Sequence, residues 1–153
     1  AKTYNKRSIV METGDPLCNG IVKFLIGKLG KDKCEILPNI SNIQIACARL
    51  GIPWQDIKIC SVHSKDAGEW ERGSNQEHGL YSLLQTLQSQ DQLAVFTSPE
   101  NTPARIARMM IMERLAPEWT MTVAERLEQK EEKLHLLVEK ASVQTLSQKL
   151  LFH

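Results

Sequence analysis

The chain has 153 residues, of which 42% are hydrophobic and 24% charged, a composition typical of a folded protein with one domain or two small ones. Its 19 Lys and Arg residues against 18 Asp and Glu residues leave a formal charge of +1, which argues against a nucleic-acid partner. The longest apolar runs, such as residues 93–96 and 109–112, are too short for a membrane span or the core of a signal peptide.

The first third of the chain alternates strand and helix signals. Residues 8–12 (SIVME) predict a short strand that ends at a turn with Gly and Pro, and residues 21–29 follow with helical spacing. Residues 34–37 predict a second strand, and residues 41–50 predict a second helix. Strands that alternate with helices in this way are typical of a parallel α/β sheet. The Gly-Ile-Pro-Trp stretch at 51–54 then indicates a boundary.

The rest of the chain predicts a second α/β segment around one long polar loop, residues 63–79, of a length that is often functional. The expected elements are strands at 57–62, 92–96, 119–123, 133–138 and 148–152 and helices at 80–87, 104–115 and near 139–145. Because no long helix separates the last three strands, they are expected to pair antiparallel at one side of a mixed sheet.

Three polar loops follow predicted strands and open predicted helices, which is where ligands bind in open α/β sheets. They are residues 13–16 (TGDP), 38–42 (PNISN) and 98–103 (SPENTP). Gly14 permits a close backbone approach, and Asp15 can accept a hydrogen bond from a ligand amine. Taken alone, each loop is explained more simply by a turn or a helix cap. His63 is a candidate general base at the end of a strand, although a structural role is the simpler explanation.

The four cysteines, at positions 18, 34, 47 and 60, form no CxxC pair and share no spacing with paired histidines. Neither a metal site, nor a redox motif, nor a disulfide framework is therefore expected. Free thiols in a reducing cytoplasm are the simplest interpretation.

The order of the loops resembles that of the tetrapyrrole methylases that use S-adenosylmethionine. Residues 13–21 (TGDPLCNGI) are similar to the Ser-Gly-Asp-Pro-x-x-x-Gly-Ile element of that family, and residues 38–44 (PNISNIQ) to its Pro-Gly-x-Ser-Ser-x-Gln element. One branch, the precorrin-6Y methylases or cobalt-precorrin-7 methyltransferases of cobalamin biosynthesis, is resembled more closely. The segments that resemble it are 48–56 (ARLGIPWQD), 61–63 (SVH), 98–107 (SPENTPARIA) and, more loosely, 124–127 (AERL).

This resemblance implies two α/β domains, with residues 1–52 as the remaining half of the first and residues 53–153 as the second, which has a mixed sheet. It implies a cytoplasmic homodimeric enzyme that methylates a ring carbon of a precorrin macrocycle and releases S-adenosylhomocysteine, with no membrane partner. The implied cofactor residues are Gly14, Asp15, Pro16, Ser41, Asn42, Ser61, Val62, His63, Thr97, Asn101, Thr102, Glu125, Arg126 and Leu127. Candidates for the carboxylates of the macrocycle are Lys65, Arg72 and Arg105, for which solvent-exposed charge is the simpler interpretation.

The chain also departs from the family pattern. Asn39 and Asn42 stand where Gly and Ser are usual, Glu12 and Cys18 are unusual beside the first turn, and the amino-terminal strand and glycine-rich loop of the family are missing. The first residue is Ala1, with no initiator Met, which suggests the later part of a longer protein. Two alternatives therefore stay open: a truncated or non-catalytic fragment that keeps the methylase fold, and an unrelated small α/β binding module.

Overall fold

The computed structural model describes residues 8–138 and 148–152, which fall into two compact units that divide after Asn42. The domain boundary after residue 52 stays a prediction. The helices are α1 (Val22–Leu29), α2 (Asn42–Leu50), α3 (Tyr81–Ser89) and α4 (Pro103–Met112). The strands are β1 (Lys58–Ser61), β2 (Leu93–Phe96), β3 (Thr120–Glu125), β4 (Lys133–Val138) and β5 (Gln148–Phe152). The helix expected near 139–145 lies outside the described residues.

The first unit contains α1 and a 3-10 turn at Lys31–Lys33, and it lacks the two strands that the sequence predicted. Residues 8–12 and 34–37 are not strands, so both predictions were wrong. A strand depends on ladder hydrogen bonds to a neighbour, and the described residues of this unit form no ladder. The unit also exposes many large apolar side chains. They are Ile9, Val10, Met11, Leu17, Ile21, Phe24, Leu29, Leu37 and Ile40.

The second unit is built on a five-stranded mixed sheet with the order β1-β2-β5-β3-β4, which confirms the mixed α/β expectation. The first four strands in this order run parallel, and β4 pairs antiparallel with β3 at the edge. Antiparallel pairing was therefore right for β3 and β4 but wrong for β5. The hairpin turns the chain back, so that β5 can enter parallel to both β2 and β3 and fill the gap between them. Its Leu-Leu-Phe run is typical of a central strand.

One apolar core lies between this sheet and the helices α3 and α4. Leu93 and Val95 of β2 enter the core at a spacing of two residues, as side chains on one face of a strand must. Met109 and Met110 of α4 are completely buried in the same core. None of the described helices has the length and apolar character needed to cross a membrane.

Candidate functional site

The carboxyl ends of the parallel strands bring together candidate residues from three distant segments. Ser61, Phe96, Phe152 and Ala124 are successive Cα partners across β1, β2, β5 and β3. The residues that directly follow Ser61, Phe96 and Ala124 in the sequence are Val62, Thr97 and Glu125. These predicted residues therefore share one edge of the sheet. Ligands of open α/β sheets bind at this edge.

Asn101 is the centre of a buried polar network at this edge. Its side chain is only 1% exposed, and its Nδ2 donates to the carbonyl oxygen of Val62 at 2.9 Å and to Ser64 Oγ at 3.0 Å. The Asn101 amide donates to Ser98 Oγ at 3.1 Å, and the Ser98 hydroxyl donates to the same Val62 carbonyl at 3.4 Å. The network ties the loop after β2 to the end of β1. Gly79 completes it, because a Cβ there would overlap Ser64 Oγ.

The remaining candidates in these two loops divide between exposed and structural positions. Ser61 Oγ and His63 Nδ1 form a hydrogen bond of 2.8 Å, and both residues are exposed. Thr102 is the N-cap of α4, where its Oγ1 accepts from the Arg105 amide at 3.3 Å and Pro103 occupies the first turn. Thr102 thus stabilises the amino end of α4.

The loop between β3 and β4, residues 126–132, follows directly on Glu125. Arg126 and Glu128 both adopt positive φ angles, of 50° and 63°, which non-glycine residues rarely do. An ion pair joins Arg126 to Glu131 within the loop. A second set of ion pairs joins the loop to Arg49 of α2, a residue that the sequence analysis did not select because nothing in the local sequence pairs it with position 128 or 132.

The candidates of the first unit also lie close together. Gly14 has a φ of 77°, and a Cβ there would lie 3.7 Å from Asn42 Oδ1 and 3.8 Å from the Asn42 amide. Asp15 closes the turn, since its Oδ1 accepts from the Leu17 amide at 2.8 Å. Burial raises the pKa of the Cys18 thiol, a hydrogen bond with Ser41 opposes this shift, and the charge of Asp15 adds to it. The structure therefore brings residues 13–18 and 41–42 into one cluster.

Glu12, which looked unusual in the sequence, has a specific contact here. Both of its carboxylate oxygens accept from the Ile21 amide, at 3.1 and 3.2 Å, at the amino end of α1. A carboxylate is favourable at that end of a helix dipole. Gly20 is required beside it, because a Cβ would meet Glu12 Oε2 and the Pro16 carbonyl oxygen at 2.5 Å each.

Two of the three cations expected to meet macrocycle carboxylates are engaged by this chain's own groups. Arg105 is 15% exposed and pairs with Asp66 at 2.7 Å and Glu69 at 3.4 Å. Arg72 Nη2 donates to the Met112 carbonyl oxygen at 2.6 Å. Lys65 is exposed and has no ion pair with any residue that the structure describes. Of the three, only Arg105 has its charge paired by carboxylates among the described residues, whereas Arg72 donates to a neutral carbonyl oxygen and Lys65 keeps its charge available to a ligand.

The buried polar residues and the positions of possible metal ligands show which kind of site the described residues could form. Their buried polar or charged residues lie in the loops selected from the sequence or directly before one of them. They are Ser41, Thr97, Ser98 and Asn101. Within residues 8–138 and 148–152, no group of three His, Cys, Asp or Glu side chains is placed to hold a metal ion. Within the second unit, the loops after β1 and β2 offer hydroxyl and backbone groups, which suit a neutral, hydrogen-bonding ligand.

Comparison with known families gives one match over nearly the whole chain. Residues 2–141 match the family described as Tetrapyrrole (Corrin/Porphyrin) Methylases. No solved structure gave a significant match to the chain.

Three curated relatives carry more specific names. A protein of Methanocaldococcus jannaschii named probable cobalt-precorrin-7 C(5)-methyltransferase is 31% identical over 134 residues, 86% of this chain and 56% of that protein. The cobalt-precorrin-7 C(5)-methyltransferase of Salmonella typhimurium is 28% identical over 90% of this chain and 60% of that protein. The decarboxylating precorrin-6Y C(5,15)-methyltransferase of Mycobacterium tuberculosis is 40% identical over 53 residues, 35% of this chain and 14% of that protein. The chain thus spans little more than half the length of the first two.

Proposed function

This chain belongs to the tetrapyrrole (corrin/porphyrin) methylases, and we propose that it acts as an S-adenosylmethionine-dependent methyltransferase of cobalamin biosynthesis. The proposed reaction moves a methyl group to a ring carbon of a precorrin macrocycle and releases S-adenosylhomocysteine. The names of the relatives support this activity. Family membership also removes one alternative, since the chain is not an unrelated binding module.

The observation that carries the proposal is the row of strand ends at the carboxyl edge of the sheet. It brings Val62, Thr97 and Glu125 to one edge from three segments that the resemblance implied for the cofactor. The exposed polar side chains of Ser61 and His63 at this edge fit a nucleoside, which presents hydrogen-bonding groups on an apolar ring, and Asn101 holds the loops beside them together. The residues present therefore fit the cofactor that the family implies.

The chemistry requires positioning more than it requires an acid or a base. The cofactor, when bound, supplies an electrophilic methyl group on a sulfonium sulfur. Since the acceptor carbon is already nucleophilic, no covalent intermediate with the protein is needed, and orientation of the reactants can supply much of the rate. Ser61 and His63 would hold polar groups of the adenosine, and Asn101 would fix the loops beside them. Gly14 would permit close approach at the first loop, and Lys65 would attract a substrate carboxylate. A water-excluding cleft favours a reaction that disperses positive charge.

The finer organisation follows from the same proposal. We place the boundary between two methylase-type α/β domains after residue 52, with the first domain incomplete within this chain. The proposed enzyme is a cytoplasmic homodimer. The methionine end of the cofactor is assigned to the cluster of the first unit, residues 13–16 and 41–42.

A second candidate function is supported by the surface of the first unit. Nine large apolar residues between positions 9 and 40 are at least 43% exposed, and unpartnered apolar surface of this extent marks an interaction face. This favours a chain that keeps the methylase fold but completes its cofactor site only when further polypeptide covers that face. In this second proposal the 153 residues alone do not methylate.

Calorimetric titration of the chain with S-adenosylhomocysteine tests the first proposal. The informative pair of variants is Gly14→Ala and Gly30→Ala, because both glycines have positive φ angles, of 77° and 89°, and both alanines suffer the same kind of backbone strain. Only Gly14 belongs to the candidate site, whereas nothing lies within 4 Å of a Cβ at Gly30. We expect micromolar binding by the wild type, weakened about tenfold or more by Gly14→Ala and unchanged by Gly30→Ala.

Equal loss in both glycine variants would remove the first loop from the site. No binding by a folded wild-type chain would favour the second candidate. Methyl transfer to corrinoid precursors, followed with a labelled methyl donor, would then separate a binding fragment from an enzyme.

A further inference from the structure

We propose that Arg49 is a positioning residue that holds residues 126–132, the loop between β3 and β4, in the conformation used by the cofactor site. The inference rests on the proposed function for the role of the loop, but the contacts themselves belong to the second unit alone. Arg49 lies in the last turn of α2, within the segment 48–56 that resembles the methylase branch, and that resemblance gave it no role.

Arg49 reaches two carboxylates of the loop at once. Its Nε donates to Glu132 Oε1 at 2.8 Å, and its Nη2 pairs with Glu128. Glu132 Oε2 in turn accepts from the Glu128 amide at 2.8 Å. This hydrogen-bonded guanidinium holds the pKa of the Glu132 carboxyl below its usual range. One arginine therefore fixes both ends of the segment from Glu128 to Glu132.

The loop needs such a restraint because its backbone is in an uncommon conformation. Arg126 and Glu128 have positive φ angles although neither is glycine, and such residues persist where surrounding contacts over-determine them. Most of the loop is exposed and none of it belongs to the apolar core, so the ion pairs act beside only two turn hydrogen bonds, from the Gln129 amide to the Arg126 carbonyl oxygen and from the Glu132 amide to the Gln129 carbonyl oxygen. Leu127 lies between the two strained residues.

The position of the loop connects this restraint to the ligand. Glu125 ends β3 beside the row of strand ends, and residues 125–127 are among those that the resemblance implied for the cofactor. If the pairs with Arg49 are lost, the strained residues relax and the backbone after Glu125 moves away from the edge of the sheet. The cofactor would then have to reorder the loop when it binds, which lowers its affinity.

Limited trypsin digestion and calorimetry of the full chain test the two parts of the proposal. Arg49→Gln removes the charge, Arg49→Lys keeps a charge that can pair with one carboxylate at a time, and Arg108→Gln is the control. Arg108 is an exposed arginine that pairs with Glu69, away from the loop. We expect Arg49→Gln to speed cleavage after Arg126 and Lys130 several-fold, Arg49→Lys to restore part of the protection, and Arg108→Gln to leave it unchanged. Binding of S-adenosylhomocysteine should weaken on the order of tenfold in Arg49→Gln.

A double variant makes the assignment specific. Arg49→Gln already removes the cation that pairs with Glu132, and an amide oxygen at position 132 can still accept from the Glu128 amide. Arg49→Gln with Glu132→Gln should therefore cleave no faster than Arg49→Gln alone. Unchanged cleavage in Arg49→Gln overturns the proposal. Faster cleavage with unchanged affinity overturns the link to the cofactor site. If the wild type itself does not bind, the proposed function fails for this chain, and the cleavage rates still decide whether Arg49 holds the loop.

Discussion

Substitution of Gly79 by alanine should destabilise the second unit although it adds a single methyl group. The backbone at Gly79 has no positive φ, so any effect has to come from contact rather than from backbone strain. A Cβ at this position would overlap Ser64 Oγ and would lie 3.2 Å from Ser64 Cβ and 3.4 Å from Asn101 Nδ2. The Ser64 hydroxyl must therefore move.

The magnitude follows from what that movement breaks. Asn101 Nδ2 uses its two hydrogens on the Val62 carbonyl and on Ser64 Oγ. Rotation of the hydroxyl leaves one of these hydrogens without a partner in a residue that is 1% exposed. An unsatisfied buried donor costs about 1–3 kcal/mol, and this range is the expected loss in the free energy of unfolding for Gly79→Ala.

Urea unfolding followed by circular dichroism measures this loss, and a double-mutant cycle attributes it. In a Ser64→Ala background the hydroxyl is already absent, so Gly79→Ala should cost less than about 1 kcal/mol. Gly27→Ala is the control: it makes the same chemical change in the middle of α1, where nothing lies within 4 Å of a Cβ, and it should not lower stability. A Gly79→Ala variant as stable as the wild type, or an equal cost in both backgrounds, would refute the reasoning.

Three further outcomes are expected. Met109→Ala should lower the free energy of unfolding by about 2–5 kcal/mol because Met109 is completely buried. Met112→Ala should lower it clearly less because Met112 is 38% exposed, and equal losses in urea titrations would contradict this. A hydrogen bond from Arg108 lowers the pKa of Glu69, so its stabilising effect is present above the ordinary carboxylate pKa of about 4.3 and is lost as the pH falls through the lower folded value. Glu69→Gln should therefore lower the Tm at pH 7 but not well below pH 4, and a Tm difference independent of pH would exclude the ion pair as its cause. Burial raises the pKa of the Cys47 thiol, so Cys47 in the native chain should react with a maleimide more slowly than the half-buried cysteines. In urea the rates should be similar, and mass spectrometry measures both. Rapid labelling of Cys47 in the native chain would contradict this expectation.

Local sequence patterns identified most elements of the second unit and the loops of the candidate site. Helices α2 to α4 and strands β1 to β5 were expected from periodicity and turn residues, and Pro103 marked the start of α4. Those signals are reliable because each reports a contact within a few residues, or a face that must be buried. The positions of the loops along the chain could be predicted in the same way. The contacts between residues of different loops could not.

Contacts between residues that are far apart in the chain could not be predicted from the sequence. Residues 8–12 and 34–37 have strand composition but form no strand in the described part of the chain, since composition does not provide the neighbouring strand. Arg49 pairs with carboxylates at 128 and 132, and Gly79 is needed because Ser64 approaches it. Neither partner can be inferred from spacing along the chain.

What the sequence by itself determined is the family, the type and order of most elements, and the set of polar loops. What only the tertiary structure decided is the insertion of β5 between β2 and β3, in the sheet that has the loops after β1, β2 and β3 at one edge. The physical reason is the range of the forces involved. Helix periodicity and turn geometry act within a few residues, whereas the pairing of a parallel strand depends on which distant segment can satisfy its hydrogen bonds and bury its apolar side chains.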